Sequence, residues 1–127
     1  MLVWQNKKCR RPANNLTQDE SASIMLYTME WNPPNECLYV VLNQILRSPN
    51  REQRLRPWYL YLKLFLNALF RLPALNTIVF RGVKLHMNEN YIRGEIVHWW
   101  GFSSCTISLD VLNSDQFLGR TGDRTSV

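Results

Sequence analysis

The feature that most constrains this chain is a change of apolar period near residue 76. Before it, Leu38, Val41, Leu42, Ile45 and Leu46 recur at i, i+3, i+4, i+7 and i+8, which sets all five on one stripe of a helix. After Pro57, a residue suited to a first helical turn, Trp58, Tyr61, Leu62, Phe65, Leu69 and Leu72 keep the same spacing. Leu60, Leu64 and Leu66 make that helix apolar nearly all round, so burial on several sides is expected. Beyond residue 76 the pattern turns to β-branched and aromatic residues: Thr77-Ile78-Val79-Phe80, Ile96-Val97-His98-Trp99-Trp100, then residues 102–107. These read as short strands around a polar loop at 84–94. Helices first and strands afterwards is an α+β order, not the alternation of a parallel βαβ fold.

The punctuation supports this division. Thr17-Gln18-Asp19-Glu20 has capping-box spacing, in which hydroxyl and carboxylate satisfy orphan N–H groups at a helix start, so a first helix is expected from there to about Glu30. Asn32-Pro33-Pro34 stops it, and Ser48-Pro49-Asn50 stops the second helix. Ser108 is a suitable N-cap for a short helix to about Leu118, with Gly119 near its end. The reading is a basic tail at 1–15, a helical part at 16–75 and the start of a sheet part at 76–127.

With 127 residues there is room for one domain, because two halves would each lack an interior. A content of 46% hydrophobic and 20% charged residues excludes a disordered tail or a collagen for the bulk of the chain. The formal charge of +5 favours an anionic partner. That charge is spread over separate segments: Lys7, Lys8, Arg10 and Arg11 near the start, and Arg47, Arg51, Arg54 and Arg56 after an acidic stretch. No aromatic interleaves the second basic run, so no nucleic acid is expected, and a basic nucleic-acid module stands only as a further alternative. Cys9, Cys37 and Cys105 match no CxxC spacing, and His86 and His98 have no cysteine nearby, so no metal is expected. No signal peptide is seen, and the apolar stretch at 58–70, broken by Lys63 and Asn67, is too short to span a bilayer. A soluble chain in a reducing compartment, with the cytoplasm favoured, is expected.

Two features could carry chemistry. Arg81 follows a strand-like run and precedes Gly82; an arginine there offers a rigid five-donor fork for phosphate, and glycine admits a ligand close to the backbone. The alternative is a surface arginine at a strand end. Trp99-Trp100-Gly101-Phe102-Ser103-Ser104-Cys105-Thr106 joins aromatics to small hydroxyl and thiol residues. Alternation sends Ser104 and Thr106 to one face and Ser103 and Cys105 to the other, which would line a pocket with hydroxyls or leave solvated serines on an edge strand.

Together, Phe80-Arg81-Gly82-Val83, Gly94 and the run from Trp100 to Thr106 resemble the arginine-then-serine signature of the mono-ADP-ribosyltransferases, NAD-dependent enzymes that modify arginine side chains. Leu16-Thr17-Gln18-Asp19-Glu20, Tyr27-Thr28, Leu42-Asn43-Gln44-Ile45-Leu46-Arg47 and Ala68-Leu69-Phe70-Arg71-Leu72-Pro73 look like the helical region before that signature in the eukaryotic branch. The resemblance covers roughly residues 16–125. It implies the split β-sheet fold of that family after the helical part, NAD as substrate, no metal, and an arginine-containing protein as acceptor. Residue by residue, it implies that Arg81 holds the NAD diphosphate, that Gly82 meets the nicotinamide carboxamide, and that Ser104 orders the site near the nicotinamide ribose. Phe117 matches the aromatic that stacks on the nicotinamide, or else is a core contact of the short helix.

The family also uses a glutamate on a later strand, because positive charge develops on the ribose as nicotinamide leaves and must be met by a placed carboxylate. Here the last glutamates, Glu89 and Glu95, precede Ser104, and only Asp110, Asp115 and Asp123 follow it. The sheet is therefore expected to be incomplete and catalysis impaired. The alternative reading is a non-catalytic relative that binds NAD or a protein.

Overall fold

The computed structural model describes residues 12–83, 94–112 and 125–126, and divides at Ala74 and Leu75 into two compact units. In the first, helix α1 spans Gln18–Thr28, α2 Leu38–Arg47, α3 Arg51–Leu55 and α4 Tyr59–Arg71; single 3-10 turns cover Pro34–Glu36 and Arg56–Trp58.

The first helix begins as the residue types dictate. The Thr17 hydroxyl accepts the Glu20 amide at 3.2 Å, and the Glu20 carboxylate accepts the Thr17 amide at 2.8 Å, so two orphan donors are satisfied reciprocally. The same carboxylate oxygen accepts from Arg71 Nη1 at 3.1 Å. Glu20 at the start of α1 thus meets the last turn of α4, and the two helices run in opposite senses. Ala22 of the first and Ala68 of the second are wholly buried.

Leu38, Leu42 and Ile45 turn one stripe of α2 inward and join Leu26 and Phe65 in the interior. Phe65 lies between two tyrosine rings, stacked with Tyr27 at 4.9 Å and with Tyr61 at 5.7 Å. The polar ends of both tyrosines find partners. Tyr61 donates to the Ser23 carbonyl at 2.9 Å, and Asn43 donates to the Tyr27 hydroxyl at 3.0 Å. Burial pushes both phenols above their ordinary range; the Asn43 bond and the Arg47 charge pull Tyr27 partly back. Cys37, buried and unpaired with another cysteine, accepts the Trp31 amide at its sulfur, which ties the proline turn to the start of α2.

The helical run containing α4 differs from its expected start. It begins at Arg51, and Pro57 lies inside it. Pro57 has no N–H for the Gln53 carbonyl four residues back, and that carbonyl takes the Arg56 amide instead, so the run tightens to 3-10 geometry there. The residues of α3 have no apolar stripe, which is why spacing did not reveal it. One expectation for α4 also fails: Leu60 is 85% exposed and Phe70 84% exposed, so this helix is buried on one side only.

The second unit has little regular structure among its described residues. Strand β1, Gly82–Val83, pairs antiparallel with β2, Thr125–Ser126, in the register Gly82 to Ser126 and Val83 to Thr125. A separate antiparallel bridge joins Phe80 to Thr106. Residues 77–79 and 96–100, read as strands, form no ladder among the described residues; β-branched side chains favour an extended backbone but do not supply the partner that a ladder needs. Helix α5 occupies Leu109–Leu112, where a helix opening at Ser108 was expected. Its expected continuation, with Phe117 and Gly119, lies outside the described residues, as do most of the 84–94 loop and most of the basic tail.

Candidate functional site

The second unit brings Arg81 and the serine-rich segment together. Phe80 and Thr106 exchange both backbone hydrogen bonds, at 2.7 and 2.8 Å. The bridge is isolated; Ser103, three residues before Thr106, lies on the diagonal from Arg81 and within reach of a long side chain. Arg81 takes that diagonal: its Nη1 donates to Ser103 Oγ at 2.7 Å. Its guanidinium carbon also lies 5.3 Å from the centre of the Trp99 ring, a cation–π distance.

The hydroxyl that meets Arg81 is therefore Ser103, one residue before the serine that the resemblance singles out. Ser104 is exposed. Neither Ser103 nor Trp99 was named from sequence as a partner of Arg81. Alternation had separated Ser103 from Ser104, but which face Arg81 joins depends on register, and register appears only with the pairing of Phe80 and Thr106.

The surroundings fix this segment further. Thr106 Oγ1 accepts the Ser108 amide at 3.1 Å, which turns the chain toward α5. Trp100 stacks with His98, ring centres 6.3 Å apart, and Trp99 and Trp100 are both about half exposed. Gly94 has φ +93°, in the region that side chains other than glycine rarely adopt, so the glycine of the motif meets a backbone need. Cys105 is exposed and unpaired with another cysteine. Asp110 is exposed in α5; Phe117, Asp115 and Asp123 lie outside the described residues.

What the arrangement can do chemically follows from the donor count. An arginine carries five N–H donors, and among the described residues Arg81 engages Nη1 with Ser103. The edge formed by Nε and Nη2 keeps two parallel N–H groups, which match two oxygens of one phosphate. Among the described residues no group of three His, Cys, Asp or Glu side chains could hold a metal ion, and no helix is long and apolar enough to cross a membrane. No protein-family model, curated protein or solved structure matches the chain.

Proposed function

We propose that this chain binds NAD through Arg81 and carries the nucleotide-binding part of a mono-ADP-ribosyltransferase site that modifies protein arginines. The observation that carries the proposal is the Arg81–Ser103 hydrogen bond at 2.7 Å beside the Phe80–Thr106 bridge, which leaves one guanidinium edge for a diphosphate. Support also comes from the Phe80–Thr106 bridge, from which Gly82 and Ser104 are each two residues removed along the chain. These are the two residues that the resemblance associates with the nicotinamide end. The implied architecture, a helical part followed by a split β-sheet, belongs to the same proposal.

In the transfer, the bond between the ribose and nicotinamide breaks, nicotinamide leaves with the bonding pair, and the ribose carbon bonds to an arginine nitrogen of the acceptor, which gives up a proton. Arg81 would hold the diphosphate while the ribose becomes cationic. A carboxylate must face that cation, and Asp110, Asp115 and Asp123 are the carboxylate side chains after Ser104 in this sequence. The second reading is that the chain binds NAD without efficient transfer.

Calorimetry with NAD tests the binding, with Arg81→Ala expected to weaken it at least tenfold, the effect of losing a charge-assisted bidentate contact worth roughly 1.5–3 kcal/mol. Absence of binding by the parent chain would overturn the proposal. Labelled NAD with an arginine-rich acceptor separates the two readings: incorporation into the acceptor supports transfer, and NAD binding without incorporation supports the second.

A further inference from the structure

Resting on that reading, we infer that Trp99 and Ser103 are positioning residues for Arg81, and that together they prepare its Nε–Nη2 edge for a diphosphate. An arginine side chain has several rotatable bonds, and an unrestrained guanidinium at a strand end would sample many orientations before meeting an anion. Two contacts restrict this one. The guanidinium carbon lies over the Trp99 ring, 5.3 Å from its centre, while Ser103 Oγ takes one N–H of Nη1 at 2.7 Å. A ring contact restrains tilt and a hydrogen bond restrains rotation in the plane.

What remains available is the edge away from Ser103, where Nε and Nη2 each point one N–H in nearly the same direction. That edge fits two oxygens of a phosphate group. Neither Trp99 nor Ser103 need touch the ligand, and both act through Arg81. Trp99, 48% exposed, is more open than a ring retained only for an interior would be. Lysine at position 81 would keep the charge but lose the planar fork.

The experiment titrates the full chain with NAD, ADP and adenosine by calorimetry, for the parent and for Trp99→Leu, Trp99→Phe, Arg81→Lys and Arg81→Ala. Trp99→Leu is expected to weaken NAD and ADP by roughly two- to fivefold, the equivalent of an exposed cation–π contact, and to leave adenosine, which has no phosphate, unchanged. Trp99→Phe restores most of the loss, because it returns an aromatic face. Arg81→Lys resembles Arg81→Ala more than the parent. A loss spread equally over NAD and adenosine, or failure of phenylalanine to rescue, would mean that Trp99 only supports the local fold. If NAD binds, depends on Arg81 and is unaffected by Trp99→Leu, the positioning role falls while the nucleotide-binding reading stands. If the parent binds none of the three, both fall.

Discussion

The two units differ in what holds them. Every buried residue described in the chain belongs to the helical unit, where leucine, isoleucine, phenylalanine and alanine side chains meet around Phe65 and the tyrosines. In the second unit no side chain described is buried, and Ile78, Ile96, Trp99, Trp100 and Ile107 are exposed. Its local order comes from a few directional contacts: the Phe80–Thr106 pair, the short β1–β2 pairing and the tie from Arg81 to Ser103. Apolar burial stabilises a fold in proportion to area, whereas a hydrogen bond contributes about 0.5–1.5 kcal/mol net, and more where one partner is charged. The stability of the chain should therefore reside in the helical unit, while the candidate site lies in the other.

Cutting into the helical interior gives the largest test of this contrast. Leu42→Ala removes a wholly buried side chain and is expected to cost about 2–5 kcal/mol in chemical denaturation followed by helical circular dichroism. Removal of the Glu20 carboxylate by Glu20→Gln should cost about 1 kcal/mol in the same assay, since the Thr17 amide and Arg71 both lose a charged acceptor and Arg71 is half exposed.

The pH dependence sharpens the contrast next. Tyr61 and Tyr27 have phenols raised by burial, so in the unfolded chain they ionise at lower pH than in the folded one. Their contribution is fully present below about pH 10, the ordinary tyrosine value, and is lost as pH climbs from there toward the folded values. Stability should fall above that point, and Tyr61→Phe should reduce the slope. At the small end, Ile96→Ala in the second unit should change stability by less than about 0.5 kcal/mol. A cost comparable to Leu42→Ala would show that the second unit has an interior of its own and would break the comparison.

The same contrast explains what could be read from sequence. The capping box at Thr17 and Glu20 is a local device, made by residues three apart, and it forms where the spacing sets it. The stripe of α2 is legible because one face of that helix enters the interior. Arg51–Leu55 was not legible, having no stripe to reveal it, and its helix continues into the longer run past Pro57. In α4 the leucines at many positions suggested burial all round, yet how many neighbours surround a helix is a property of the assembly and not of its own spacing. The extended segments posed a harder problem. Residues 96–100 have strand-forming side chains but join no ladder among the described residues, and composition does not encode which backbone will face which.

Within the candidate site, Arg81 was legible as a residue type at a segment end. Its partner was not. Ser103 and Ser104 are chemically alike, and the bridge of Phe80 with Thr106 and the hydrogen bond beside it distinguish the one that Arg81 reaches.

The contrast between the sulfur atoms of Cys37 and Cys105 gives the molecule its own timepiece. One is sealed beneath the proline turn and the other faces solvent, so an alkylating reagent added to a Cys9→Ser variant would consume Cys105 at once and Cys37 only when the helices part. The lag between the two reactions would measure how often that first unit opens, without any label foreign to the chain.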